Sequence, residues 1–225
     1  MKSKNFALTA SSALLLLSYP ALAVLSDPTD SVKGRAPVIT PSTIVSADTN
    51  SNGVFDIGDV ISISAQGTFS DPDGDAEGQK TYQWQADGAD ITGATSETYT
   101  VTAGDLGKKI TVLITPHTDP AITDPDSGIA VASNELSTAS ANTPVAVQIE
   151  GAINGYPQVD TALNAVVQLA DGTNGNATTY QWKIETAVGS GVYQNIAGAN
   201  GNTYTPVGAD QKRKIQVESC RIIPA

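Results

Sequence analysis

The string Tyr82-Gln83-Trp84 returns as Tyr180-Gln181-Trp182, and it opens a longer repeated series. Ile91-Thr92-Gly93-Ala94-Thr95 returns as Ile196-Ala197-Gly198-Ala199, Thr98-Tyr99-Thr100 as Thr203-Tyr204-Thr205, and Asp105 to Val112 as Asp210 to Val217. Self-similarity on this scale means one supersecondary unit written twice. The offset is 98 residues at the first block and 105 at the later ones. Seven residues are therefore inserted between Trp182 and Ile196, where Gly189-Ser190-Gly191 marks a turn. Surface connections accept such length changes and packed strands do not, so the insertion is a loop.

Within each copy the apolar residues alternate. In Val60-Ile61-Ser62-Ile63-Ser64 and Lys109-Ile110-Thr111-Val112-Leu113-Ile114 they recur with the pleat of a strand, which buries one face and leaves the other wet. Each unit is thus expected to be a half-polar antiparallel sandwich. Strands are expected near 38–45, 59–66, 80–86, 97–102, 108–116 and 127–137 in the first copy. Pro144 opens the second, after a short polar linker from Ser137 to Thr143. The 20 Gly and 12 Pro agree with short strands joined by turns.

The first 23 residues read as an export signal. Lys2 and Lys4 precede an apolar run from Phe6 to Leu17, and Ala21-Leu22-Ala23 fits a peptidase site. That run is shorter than the roughly 20 residues needed to span a bilayer. The expected organisation is a signal peptide at 1–23, a linker at 24–36, a first module at 37–138 and a second at 144–225, with a secreted or surface-bound product. A net charge of −11 disfavours nucleic acid and anionic lipid as partners, so neither nucleic-acid binding nor membrane insertion is expected. Cys220 is the one cysteine, so no intramolecular disulfide forms despite export, and each module relies on packing.

The YQW, IxGAT, TYT and DxGKKI strings together resemble the bacterial immunoglobulin-like modules of intimin- and invasin-type surface proteins, over most of residues 37–219. A short exported pair of such modules ending in TYTPVGADQKRKIQVE also resembles the secreted Zir proteins of enteric bacteria. The fold class implied is all-β, with two tandem immunoglobulin-like β-sandwich modules after a signal peptide. The function implied is that of an interaction or adhesion protein with a part in virulence, working with an intimin/invasin-like outer-membrane barrel. A ligand on a host surface is a further expected partner.

The most specific chemistry lies in Asp48-Thr49-Asn50-Ser51-Asn52-Gly53-Val54-Phe55-Asp56-Ile57-Gly58-Asp59. Counted from Asp48, side-chain oxygens fall at positions 1, 3, 5, 9 and 12, with Gly at 6. This is the spacing of a calcium loop, because Ca2+ takes six to eight oxygens and Gly permits the tight turn. The expected ligands are Asp48, Asn50, Asn52, the Val54 carbonyl, Asp56 and Asp59. An Asn/Gly-rich hairpin turn is the competing reading. A second acidic cluster, Asp71, Asp73 and Asp75 with Glu77, is a weaker metal candidate, since a Pro-Asp-Gly turn explains most of it.

Trp84, Trp182, Tyr99 and Tyr204 admit an aromatic platform for sugar, which makes a carbohydrate-binding accessory module the alternative function. Their recurrence at equivalent places favours a core role instead. With His117 the sole histidine and no GxSxG string, catalysis is not expected. After Val217 only eight residues remain, against 20 or more after Val112, so the second module is expected to lack a closing strand. Two explanations stay open: a shortened second module, or an edge completed by the barrel partner.

Overall fold

Alternating residues become strands in both repeats of the computed structural model, which describes residues 25–177 and 179–220. The expected export signal at 1–23 lies outside the described residues, and 25–37 carry no regular structure. From Lys33 onward the chain is one compact unit holding two cores.

The first repeat contains β1 (Val38–Ile39), β2 (Thr43–Ala47), β3 (Val60–Ala65), β4 (Phe69–Ser70), β5 (Thr81–Ala86), β6 (Ala89–Asp90), β7 (Thr98–Thr100), β8 (Lys109–Thr115), β9 (Val131–Ala132) and β10 (Leu136–Ser137). One sheet runs β2-β3-β7 and the facing one β10-β8-β5-β6, with β9 also on β8. The second repeat contains β11 (Pro144–Glu150), β12 (Leu163–Leu169), β13 (Asn174–Gly175), β14 (Thr179–Glu185), β15 (Tyr193–Asn195), β16 (Thr203–Tyr204) and β17 (Ile215–Cys220). Here β11, β13 and β16 all pair with β12, while β15-β14-β17 form the other sheet. Every pairing is antiparallel, and the only helical turns among the described residues are two three-residue 3-10 turns, Ala103–Asp105 and Gly208–Asp210.

Each letter of the repeated strings has a physical task. Trp84 and Trp182 are 0% exposed and centre the two cores. Their indole Nε1 groups donate to Ser96 O at 2.8 Å and Gly201 O at 3.0 Å, which satisfies the one polar atom that burial would otherwise strand. Tyr99 and Tyr204 pack on them, with ring centroids 5.7 Å apart in both cases. The glutamine before each tryptophan reaches forward. Gln83 Nε2 donates to Ile91 O at 2.9 Å and Gln181 Nε2 to Ile196 O at 3.1 Å. Those isoleucines open the IxGA turns, where Gly93 and Gly198 sit at φ 76° and 75°, a conformation that glycine takes without a Cβ penalty.

Two expected strands are subdivided. The stretch 38–45 breaks at Thr40 to Ser42: Pro41 has no N–H for a ladder, and β1 pairs with β4 while β2 pairs with β3. The stretch 127–137 breaks between β9 and β10. There Ser133 N donates to Val112 O at 3.0 Å, and the Asn134 side chain leaves β8 to accept from Ile44 N at 2.7 Å and donate to Ile44 O at 3.2 Å. Asn134 thereby clips the closing strand to the opposite sheet.

The seven-residue insertion is a loop, between β14 and β15, and it has its own anchor. In the first repeat Asp87 Oδ1 accepts from Lys109 N at 2.9 Å. Its counterpart Glu185 accepts from Lys214 N at 3.0 Å and, being longer, also from Gly189 N and Gly191 N. These backbone N–H groups, Lys214's first, hold the buried Glu185 carboxyl below the usual carboxylate range.

Candidate functional site

The Asp48–Asp59 loop joins β2 to β3 and turns through Ser51 and Gly53, both at positive φ. Asp48 accepts from Asn52 N at 3.2 Å and Gly53 N at 2.8 Å. Asn50 Oδ1 and Asn52 Oδ1 accept from Asn52 N and Val54 N. Their amide groups converge on Asp56: Asn50 Nδ2 donates at 2.9 Å and Asn52 Nδ2 at 2.8 Å. Asp59 accepts from Thr49 N at 2.8 Å and Asp56 N at 3.0 Å.

Asp56 and Asp59 are both buried, and among the described residues neither has a Lys or Arg partner. Buried carboxylates are ordinarily paired or metal-bound, and these two rest on N–H donors alone. As a fit for Ca2+ the donor types are right, two amides and a backbone carbonyl beside three carboxylates, but the amides turn nitrogen toward Asp56. No three His, Cys, Asp or Glu side chains gather into one cluster among the described residues. A cation here needs Asn50 and Asn52 to rotate their oxygens inward. A cleft of roughly 470 Å³ opens beside the loop, and Asp171 of the second repeat lines it together with Asn50, Asn52 and Asp56.

The second acidic cluster is engaged otherwise. Asp73 accepts from the Arg35 guanidinium at 2.7 and 3.0 Å and from Arg35 N, and these bonds hold its carboxyl below the usual range. Asp71 Oδ1 accepts from Asp73 N and Asp75 N, while its buried Oδ2 has no partner. Asp71 to Asp75 therefore form a turn that pins the segment before β1. His117 shares a 3.0 Å hydrogen bond with Thr81 Oγ1. Because both tryptophans are enclosed, neither offers a ring face to a sugar.

A surface feature that the strings did not reveal lies at the end of the second repeat. A cleft of roughly 820 Å³ is lined by Tyr156, Val159, Pro206, Val207, Lys212 and Ile215, among others. Tyr156 is 71% exposed, and Ile153 and Val207 are about half exposed. Lys212 and Lys214 are exposed and take part in no ion pair among the described residues. Arg213 is committed to Asp210, Ala209 O and Glu185 O. The signal was present in the charge distribution. Residues 33–143 carry five Lys/Arg against fifteen Asp/Glu, whereas 144–225 carry five against six, three of the cations being consecutive.

No protein-family model matches this chain, and no curated protein does. Among solved structures it is similar to the crystal structure of the chicken CNTN1 FN1–FN3 domains, at 12% identity and a TM-score of 0.27. That match covers 83% of this chain and 62% of the other, so the chain spans less than two thirds of that structure. The all-β assignment rests on the antiparallel sheets themselves.

Proposed function

We propose that this chain is a secreted immunoglobulin-like interaction protein that docks on an intimin/invasin-like outer-membrane barrel at the bacterial surface, in an adhesive role tied to virulence. The observation that carries this reading is the exposed apolar group at the end of the second sandwich. Tyr156, Val159 and Val207 border one cleft, with Ile153 bridged to Tyr156 beside them. Clustered apolar side chains rimmed by polar ones mark interaction surfaces, and tyrosine is enriched there. The test is capture of the purified chain by cells that display such a barrel and by cells that lack it. Barrel-bearing cells are expected to retain the protein, and the double substitution Tyr156→Ser, Val207→Ser to reduce retention by about tenfold or more, the scale of losing one central contact. Equal retention by both cell types refutes the reading.

The Asp48–Asp59 loop is proposed to hold Ca2+ through Asp48, Asn50, Asn52, the Val54 carbonyl, Asp56 and Asp59. Two buried carboxylates without a cationic partner support this reading. Calcium at 100 times its dissociation constant is expected to add about 2.7 kcal/mol to stability, a rise of several degrees in melting temperature. Asp48→Asn, at an exposed position, removes one charged ligand and is expected to weaken that response. Asp59→Ala is a poorer test, since it also orphans Thr49 N and Asp56 N. Calorimetry that finds no shift at millimolar calcium ends the proposal.

A further inference from the structure

Residues 25–35 are exposed and carry no regular structure, with Leu25 90% and Val32 94% exposed. From Pro37 onward the backbone is enclosed. Pro37 is buried, and Gly128 lies so close to it that a Cβ there would stand 2.0 Å from Pro37 O. Lys33 and Arg35 sit on the exposed side of that boundary and are held differently. The Lys33 side chain meets Asp124 at 3.3 Å, both partners being more than half exposed. Such a pair contributes little to stability. Arg35 is clamped instead. Its guanidinium donates to Asp73 Oδ1 at 2.7 and 3.0 Å and to Pro72 O, and its backbone N donates to Asp73 Oδ2. Between the two, Gly34 N donates to Asp124 O at 2.8 Å.

Elsewhere among the described residues the basic side chains lie on backbone that is already committed. Lys80 is ion-paired with Glu77, and its side chain is 16% exposed. Lys109 and Lys183 lie within β8 and β14. Lys108 N and O, Arg213 N, and Lys214 N and O all have hydrogen-bond partners in the turns before β8 and β17. Lys212 is exposed, but its φ of 66° is left-handed, whereas an endopeptidase binds its substrate extended. Lys33 is therefore the described Lys or Arg whose flanking chain is drawn out at least cost. Exposed residues 25–32 precede it, and only Gly34 and Arg35 need come away after it. Exposed chain with few backbone bonds is where proteolytic nicking concentrates.

We propose that the Lys33–Gly34 peptide bond is a processing site for a trypsin-type endopeptidase, one that reads a basic side chain, and that Asp73 withholds Arg35 from the same enzyme. Water adds across the bond, so that the Lys33 carbonyl becomes a carboxylate and Gly34 N becomes an ammonium group. The enzyme reaches the bond only when Gly34 and Arg35 lift from Asp124 and Asp73, so cleavage follows how often that short segment opens. Once cut, the segment closes again as a new amino terminus. Its ammonium group keeps Asp124 O as acceptor and lies beside Asp73, whose Oδ2 is 2.8 Å from where a Gly34 Cβ would stand. The buried, unpartnered Asp71 Oδ2 leaves a further acceptor in the same turn. A charged donor bonds more strongly than the peptide N–H it replaces. The first sandwich thus gives up only the exposed Lys33–Asp124 pair. The site does not depend on what the chain docks to.

The test is limited digestion of the full chain with trypsin, followed by intact mass and N-terminal sequencing. Within residues 25–220 the first cut is expected after Lys33, giving a product that begins at Gly34 and persists. Lys33→Gln, at an exposed side chain, is expected to slow the first cut by about tenfold or more without moving it to Arg35, because the basic side chain is what such an enzyme selects. Asp73→Ala keeps the bond from Asp73 N to Asp71 Oδ1 that shapes the turn. It is expected to open a second cut after Arg35, with a product that begins at Ala36. Near-ultraviolet circular dichroism checks that both variants are folded, and calorimetry compares the cut chain with the intact one. Four results overturn the proposal: a first cut after any other residue of 25–220, Arg35 included; a Lys33→Gln chain that is cut at Arg35 as fast as the original is at Lys33; a bond after Arg35 that stays resistant in Asp73→Ala; and a cut chain whose first sandwich melts several degrees below that of the intact chain.

Discussion

Replacing Trp84 with alanine is expected to lower the stability of the first sandwich by about 3–5 kcal/mol, from lost burial and the cavity left behind. Trp182→Ala is expected to do the same to the second, with a graver outcome. Among the described residues the first repeat has nine buried apolar residues and the second has seven, each count including its tryptophan. The same loss is thus a larger share of what holds the second together, and its cooperative transition is expected to disappear at room temperature. Because the chain has only two tryptophans, each variant keeps one indole as a fluorescent reporter of the intact sandwich. Denaturant titration read by that emission, beside circular dichroism of the whole, separates the two transitions. A denaturation midpoint left unchanged by Trp84→Ala would mean that the ring does not centre the core.

At high pH the two packed tyrosines are expected to ionise late. Burial, then the hydrogen bond to Asp105 or Asp210 at 2.6 Å, pushes Tyr99 and Tyr204 up to about 12. Against an ordinary value of about 10, that is a roughly hundredfold change in ionisation constant. The sign follows from proton linkage. Between about pH 10 and 12 the unfolded chain releases these two protons while the folded chain keeps them, so stability is whole below about pH 10 and falls as pH rises to about 12. Absorbance titration at 295 nm is expected to show a component near pH 12 that shrinks stepwise in Tyr99→Phe and Tyr204→Phe. Asp105→Asn, which replaces a charged acceptor by a neutral one, is expected to bring Tyr99 down while Tyr204 holds. If both tyrosines titrate near 10 in the folded protein, the Tyr-Asp contacts are not those described.

The repeat made most of this architecture legible, since like strings whose spacing differs only by a loop insertion meet like neighbours. Trp84 and Trp182, Tyr99 and Tyr204, and Asp105 and Asp210 occupy matching places for that reason. Less legible was what depends on a partner far along the chain. Nothing local in Ser133-Asn134 says that Asn134 will leave its strand for Ile44, 90 residues away. Composition likewise suggests metal at Asp71 to Asp75, yet Asp73 belongs to Arg35, 38 residues earlier. The spacing of Asp48 to Asp59 is consistent with the tight loop seen there, in which Asp56 and Asp59 are buried and Asp48 is exposed. It could not foretell that Asn50 and Asn52 turn their nitrogens to Asp56, because an amide presents either end at the same spacing.

The segment between the sandwiches is sewn down at both ends. Ala139 N donates to Phe55 O and Ala139 O accepts from Gly107 N, while Ala141 O and Thr143 O accept from Asp171 N and Ala170 N. If the chain is pulled from its two ends, these few bonds are expected to load before either core. Freeing the five residues from Ala139 to Thr143 lets out up to about 18 Å of chain. The first yield under tension is therefore expected to be a short lengthening that leaves both sandwiches folded.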